Sequence, residues 1–307
     1  MTTQKGARSL AHRIEYWAFR LYWRHLTGMG IEAASNAGGR FLRAIGPLTP
    51  SHRTAKLNMR LAFPRLTGPE ERELLDEMWD GIGRLAGEFV QMHRLDLFQP
   101  DSRVTFDGLD ILDRYLEPGR GAVFASGHFA NWEVMPAAIV SRGVDCEVTY
   151  REANNPWVDE MIVRARADYG VKLFAPKGQR GGMRLVRILA RGGSVAMMND
   201  QKYNTGVEGT FFGHRCMTND AAVRLAHRFK VPIQTMSVVR TTGARFHVTV
   251  QEPMLLPCEK PVDEVVQPAV QAINDFIEAR IREAPAQWFW VHARWPKQAW
   301  KDAGVLD

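Results

Sequence analysis

The chain has 307 residues, enough for one large domain or two small ones. Its hydrophobic fraction of 45% and charged fraction of 24% are those of an ordinary globular protein, which excludes a predominantly disordered or fibrous chain. The net charge is +6, and three scattered cysteines, Cys146, Cys216 and Cys258, form neither a disulfide framework nor a metal-ligand spacing, so a reducing compartment is expected.

The charge is unevenly placed. Residues 1–60 hold ten Lys/Arg against two acids, Glu15 and Glu32, a local charge of +8 that leaves −2 on the remainder. A basic end on a near-neutral body suits an anionic surface, either nucleic acid or anionic lipid. Tyr16, Trp17, Phe19, Tyr22 and Trp23 crowd into eight positions, which fits a membrane interface better than a nucleic-acid arm. No basic recognition helix is present, so no nucleic-acid partner is expected. The N-terminus lacks the pattern of a signal peptide, and Glu15, Arg20, Arg24 and Glu32 interrupt the best apolar window. Peripheral or shallow attachment to a membrane is therefore expected.

Residues 9–26 read as a helix with Arg13, Arg20 and Arg24 on one stripe, lying either on a membrane or on the protein's own body. A second helix is expected over residues 30–45, where Gly38 and Gly39 permit close packing or mark a break. Further helices follow over residues 52–61 and from Thr67 onward. The latter carries Leu74, Leu75, Met78, Ile82, Leu85 and Phe89 at helical spacing. From residue 103 the pattern changes to short apolar strands alternating with helices. Strands are expected at 104–106, 122–125, 146–150, 171–175 and 194–198, with helices at 107–116, to 140, 156–169 and 182–190. A helix over 219–229, an antiparallel strand pair at 232–240 and 245–252, and a helix over 262–284 complete the chain. This alternation implies an α/β fold with a mostly parallel central sheet flanked by helices. The expected division is a helical, membrane-docking region over residues 1–100 and an α/β domain over residues 101–307.

His128 is the candidate general base. It follows the apolar strand and the Ser126-Gly127 break, and Glu133 lies five residues on. An imidazole, with its ordinary pKa near about 6.5, has a neutral fraction able to take a hydroxyl proton at pH 7. Residues five apart on one helix diverge by about 140°, so Glu133 reaches His128 only if the histidine precedes the helix. The bland alternative is a lone histidine in a turn, with Glu133 placed by the helix dipole. N–H groups near Ala130 and Asn131 are candidate donors to a developing negative charge. Asp200 and Gln201 follow a strand, where α/β sheets build sites; Asp200 either contacts substrate or orders the pocket. Arg164 and Arg166 are 200° apart on a helix, so they do not both face one site. The turn at residues 177–182 is either a phosphate cradle or a plain loop. Trp288 and Trp290 are either pocket walls or packing. No metal site is expected.

His128-x4-Glu133 after a buried strand resembles the His-x4-Asp/Glu motif of the glycerolipid and lysophospholipid acyltransferases. More specifically, the chain resembles the bacterial lipid A late acyltransferases, the lauroyl/myristoyl transferase family. Four further blocks carry the resemblance in order: Arg53 to Pro64 with Asn58; Tyr150-Arg151 with Asn154-Asn155-Pro156, Asp159, Arg164 and Arg166; Asp200-Gln201 with Phe211-Phe212-Gly213; and Gln287-Trp288 with Trp290, His292 and Arg294. Departures occur at Glu152-Ala153, Lys202 and Ala293, and they bear on the acceptor rather than the chemistry.

The resemblance implies transfer of an acyl chain from an acyl-thioester to a hydroxyl of a lipid A precursor. His128 would take the proton and Glu133 would orient and charge-balance the imidazole. Arg151, Arg164, Arg166, Asp200, Gln201, His292 and Arg294 would contact substrate. No cofactor is implied beyond acyl carrier protein or acyl-CoA as co-substrate. The implied partners are a membrane lipid acceptor, acyl carrier protein and an anionic membrane surface, at the cytoplasmic face of the inner membrane. The same resemblance accommodates an acceptor other than lipid A, a different glycolipid or an aminolipid, and a non-catalytic lipid-binding relative.

Overall fold

A computed structural model describes residues 10–174 and 178–306. The chain starts with α1 (Leu10–Thr27), α2 (Ile31–Ile45), α3 (Pro50–Ala62) and α4 (Gly68–Phe89). Thr67 and Glu70 close a reciprocal capping box at the start of α4, satisfying N–H groups that the first turn leaves unpaired. Helices α2 and α4 pack with their backbones in near contact. A Cβ on Gly38 would collide with the Gly83 carbonyl, and one on Gly87 with the Ala34 carbonyl, so these glycines permit the approach.

The remainder alternates strand and helix: β1 (Val104–Asp107), α5 (Leu109–Asp113), β2 (Val123–Ser126), α6 (Val134–Ser141), β3 (Cys146–Thr149), α7 (Pro156–Asp168), β4 (Lys172–Phe174), α8 (Gly178–Ala190) and β5 (Ser194–Met198). Then come a hairpin of β6 (Val207–Phe211) and β7 (His214–Thr218), α9 (Ala221–Phe229), β8 (Ile233–Thr242), β9 (Arg245–Val250), α10 (Val262–Glu283) and α11 (Lys297–Asp302). Seven strands form one sheet in the order β1-β9-β8-β2-β5-β3-β4. Neighbours are parallel except β8 and β9, so β1 and β9 run opposite to the other five. The expected α/β fold with a mostly parallel sheet is therefore the observed one. The strand β2 sits at the sheet's centre and is wholly buried, which is why Val123, Phe124 and Ala125 read as an unbroken apolar run. One hydrophobic core runs from Ile31 to Trp300 and includes side chains of α3 and α4 as well as of the sheet.

Three local expectations change. The helix expected over 107–116 is shorter, because Gly108 enters it from a left-handed conformation, φ 73°. The helix expected to begin at 182 starts at Gly178; of the basic turn, Lys177 lies outside the described residues. The β6–β7 hairpin was not expected. Its two-residue loop, Phe212-Gly213, has positive φ at both positions, as a primed turn requires, although Phe lacks the usual turn signature. Glu278 accepts the Phe212 N–H at 2.5 Å, and the Arg282 guanidinium lies 4.4 Å from the Phe212 ring centre, so α10 holds the turn.

Helix α1 presents two faces. Leu26 is buried, Tyr16, Phe19 and Trp23 are partly covered, and Leu10, Ile14, Trp17 and Leu21 form an outward apolar stripe, each more than 60% exposed. No helix among the described residues is long and apolar enough to cross a membrane.

Candidate active site

The sheet ends its two central strands, β2 and β5, side by side, with Ser126 beside Met198. The next residues on each, His128 and Asp200, meet. The Asp200 carboxylate is wholly buried and accepts three hydrogen bonds: His128 Nδ1 to Oδ1 at 2.8 Å, His128 backbone N–H to Oδ2 at 2.7 Å, and Trp288 Nε1–H to Oδ2 at 2.7 Å. Burial alone would raise the Asp200 carboxyl. The neighbouring His128, its hydrogen bonds and the nearby His292 outweigh burial and hold it well below the usual carboxylate range. An ionised Asp200 makes Nδ1 the protonated nitrogen of His128 and leaves Nε2 as the lone-pair side. The ring is 15% exposed and borders a cavity of about 470 Å³.

The loop carrying His128 is fixed by a distant segment. Phe289 N–H donates to His128 O at 3.1 Å, and Ala130 N–H donates to Gln287 O at 2.6 Å. Ala130 has φ 42°, a left-handed conformation that a residue with a Cβ adopts at a cost. Gln287 braces the loop to the sheet: its side chain accepts Arg240 N–H at 2.7 Å and donates to Arg240 O at 3.1 Å. The expected role of the Ala130 N–H as a free donor to an oxyanion is thus corrected, because Gln287 already takes it. The segment itself is held from below, where Asn58 Nδ2 donates to the carbonyls of Trp290 and His292, each at 2.8 Å.

Glu133 does not pair with His128. It precedes α6 and turns toward α7, where Arg166 Nε and Nη2 donate to it at 2.9 and 2.5 Å and Tyr169 O–H at 2.7 Å. The turn through Ala130 sends the histidine and the glutamate to different neighbours. Burial would raise the Glu133 carboxyl, but Arg166 and Tyr169 more than compensate and keep it ionised. The partner that sequence spacing assigned to Glu133 is therefore Asp200, which comes from the end of another strand.

The other expected site residues divide. Arg166 is the inward one of the two α7 arginines, but it is spent on Glu133. Arg164 lies in solvent, paired with Glu160 at 2.6 Å. Arg151 and Gln201 are exposed beyond the ends of β3 and β5. His292 is in the site: its ring centre is 6.1 Å from that of His128, and its Nε2 lies 3.2 Å from the Asp200 carbonyl. Burial pushes His292 down to about 4, so it is neutral at pH 7 and is no cationic headgroup ligand. Arg294 is wholly buried, donating to Met217 O, Thr218 Oγ1 and Asn274 Oδ1 at 2.8, 2.7 and 3.2 Å. It locks the hairpin to α10 and cannot reach a ligand from there.

Trp288 and Gln287 were not assigned these roles from sequence, since neither type signals a carboxylate or loop anchor. The ring of Trp132 stands edge-on to His128 at 4.9 Å, and Phe289 lies 6.0 Å away, so two aromatic walls flank the imidazole. Ser126 donates to Met236 O at 2.6 Å and has no adjacent base. The thiol of Cys146 is buried and pushed up by that burial, so neither is set up as a nucleophile. Among the described residues no three His, Cys, Asp or Glu converge as a metal-binding group.

A buried imidazole–carboxylate pair at the carboxyl ends of a parallel sheet, opening on a cavity, has the form of a proton-transfer site in an α/β enzyme. The family model for bacterial lipid A biosynthesis acyltransferases matches residues 3–297, and the chain belongs to that family: it is an acyltransferase. It is 27% identical over 252 residues to a lipid A biosynthesis palmitoleoyltransferase of Escherichia coli K12, covering 78% of this chain and 77% of that one. It is 25% identical over 293 residues to a phosphatidylinositol mannoside acyltransferase of Mycobacterium tuberculosis, covering 91% and 88%. A solved 1-acyl-sn-glycerophosphate acyltransferase from Thermotoga maritima overlaps 90% of this chain and 99% of its own at 11% identity, with a TM-score of 0.39.

Proposed function

We propose that this enzyme moves a fatty acyl chain from an acyl-thioester, presented by acyl carrier protein, to a hydroxyl of a lipid A precursor, with His128 as the general base. The observation that carries the reading is the His128–Asp200 pair facing the cavity with its Nε2 side unpartnered. Nε2 takes the acceptor's hydroxyl proton while Asp200 compensates the imidazolium charge. The alkoxide oxygen bonds to the thioester carbonyl carbon, giving a tetrahedral oxyanion. Its collapse breaks the C–S bond, and the imidazolium returns the proton to the departing thiolate. The acyl group thus passes directly from sulfur to oxygen. No covalent enzyme intermediate and no cofactor enter these steps.

The acceptor is a membrane lipid, and α1 is proposed as the docking element. Its outward stripe of Leu10, Ile14, Trp17 and Leu21 adjoins Arg13, Arg20 and Arg24, an apolar face edged by cations that suits an anionic bilayer surface. On this reading the enzyme works at the cytoplasmic face of the inner membrane.

A second reading of the acceptor rests on the cavity's far wall. There α4 presents Glu73, Asp76, Glu77 and Asp80; Arg43 is paired with Asp76, Arg84 with Asp80 and Arg240 with Glu88, which leaves Glu73 and Glu77 as the surplus. A surplus of carboxylates opposes a phosphate and favours an amine, which suits an aminolipid acceptor. Purified enzyme is to be assayed with acyl carrier protein and coenzyme A thioesters against a lipid A precursor, a mannosylated lipid and an aminolipid. The proposal expects turnover on the lipid A precursor that His128→Ala abolishes. Turnover confined to the aminolipid moves the acceptor to the second reading, and undiminished turnover in His128→Ala ends the mechanism.

A further inference from the structure

The mechanism above uses His128 and Asp200 and leaves Trp288 without a role. Trp288 is 1% exposed, and the single polar atom of its side chain, Nε1, makes one hydrogen bond, to Asp200 Oδ2 at 2.7 Å. The same oxygen takes the backbone N–H of His128 at 2.7 Å, which leaves Oδ1 for the imidazole. Two donors on Oδ2 fix the rotation of the carboxylate about its Cβ–Cγ bond. They also draw charge toward the oxygen that the imidazole does not touch. The Trp288 ring is held by Trp290 at 4.6 Å, His292 at 5.2 Å and Phe211 at 5.8 Å between centres, so the N–H has one available direction.

We propose that Trp288 is the positioning residue of the dyad: its indole N–H holds Asp200 so that Oδ1 meets His128 Nδ1, and by sharing the carboxylate it sets how tightly the imidazole keeps its proton. The inference rests on the general-base reading of His128. A carboxylate with one donor fewer is the stronger base, so it stabilises the imidazolium more. Loss of the indole N–H therefore shifts the acid limb of the kcat/KM profile to higher pH.

The other charged groups near the pair remain in place when that N–H is removed. Asp200 also faces His292 and, at longer range, Arg294. Behind the loop Glu133 and Arg166 neutralise each other. Across the cavity stand the Arg240–Glu88, Arg43–Asp76 and Arg84–Asp80 pairs with Glu73 and Glu77. Their effects are common to wild type and variant and drop out of the difference.

The test compares Trp288→Phe with Trp295→Phe in the full chain. Trp295 is a matched control, 1% exposed in the same C-terminal segment, with its N–H on Phe211 O at 3.0 Å and its ring centre 6.4 Å from that of Trp288. A single neutral donor corresponds to a shift of about 0.5–1 pH unit. Trp288→Phe is expected to move the acid limb up by that amount, with kcat lowered about tenfold and KM unchanged. Trp295→Phe is expected to leave the limb in place. If Trp288→Phe fails to fold, replacing Trp288 by benzothienylalanine keeps the ring and removes only the N–H, and NMR titration of the His128 ring gives the same shift. An acid limb that stays put or moves down overturns the inference. So does an equal shift in both variants, which would mark general loosening of the segment. If His128→Ala retains wild-type turnover, the general-base reading has failed. If His128→Ala is inactive while Trp288→Phe keeps the wild-type limb, only the role of Trp288 has failed.

Discussion

Asp200→Asn is the sharpest test of the dyad, because the substitution changes charge and hydrogen-bond sense at constant shape. All three groups on the carboxylate are donors: His128 Nδ1, His128 N–H and Trp288 Nε1. An amide has one acceptor and one donor end. Its oxygen is drawn to the position that two fixed N–H groups share, so its NH₂ is left facing His128 Nδ1. That forces the other tautomer, with the proton on Nε2, where the acceptor's hydroxyl must be deprotonated. The charge is also lost. Two unit charges about 4 Å apart at an effective dielectric near about 20 attract by about 4 kcal/mol, which is about 10³-fold in rate. The same substitution in a Ser-His-Asp triad, where the tautomer is also reversed, costs about 10⁴ in kcat. Asp200→Asn is expected to lower kcat by about 10³–10⁴-fold, with circular dichroism unchanged and KM little altered. A loss below tenfold, with His128→Ala inactive, would show that Asp200 does not serve the base.

Glu133→Gln is expected to act on stability instead. It leaves Arg166 buried without its counter-charge, a loss of about 3 kcal/mol by analogy with other broken buried pairs, visible as a lowered Tm. A second substitution, Arg166→Met, should recover most of that loss; a Glu133→Gln enzyme that keeps its Tm and moves its acid limb would instead restore Glu133 to the base. His292 is held near about 4 in the folded state against about 6.5 when unfolded. The unfolded chain therefore binds more protons between these values. Stability is full above about pH 6.5 and falls by about 3 kcal/mol as pH drops to 4. His292→Gln should flatten that part of the Tm–pH curve, and an unchanged slope would refute the assignment. Replacing Ile14, Trp17 and Leu21 together by Glu removes about 5 kcal/mol of apolar insertion and adds negative charge, so binding to anionic vesicles should fall more than 100-fold. Undiminished sedimentation with vesicles would remove α1 as the docking element.

Elements with a local cause were legible in the chain. The strand β2 is buried on both faces and so is apolar throughout, while α4 shows its packed face at helical spacing and starts with a capping box. The positions of His128 and Asp200 after strands were legible for the same reason. Their pairing was not, because it depends on β5 lying beside β2, a neighbour relation set by sheet order rather than by spacing. Sequence distance favoured Glu133, five residues away. Ala130 in a left-handed turn separates it from His128, and alanine gives no sign of that conformation. Arg294 shows the converse limit. Near His292 and with a charge that suits a headgroup, it is nevertheless wholly buried, because the unexpected β6–β7 hairpin packs over it.

The two carboxylates divide the work on either side of one loop. Glu133 is satisfied by a permanent cation, Arg166, and so anchors α7 to the start of α6. Asp200 is satisfied by N–H donors, one of them on His128, which in the proposed mechanism becomes cationic only during turnover. That difference decides which one can answer a proton transfer. An Arg-paired carboxylate is already compensated and gains little from a neighbouring charge. Asp200 has no permanent cation in hydrogen-bond contact, so a new positive charge on His128 is stabilised in full. Keeping His292 neutral preserves this condition, since a second imidazolium 6.1 Å away would compete for the same carboxylate. Placing a cation there by His292→Lys should therefore move the acid limb of kcat/KM downward, the direction opposite to the shift expected for Trp288→Phe. The opposed signs from two neighbours of one carboxylate would trace the control of the base to Asp200.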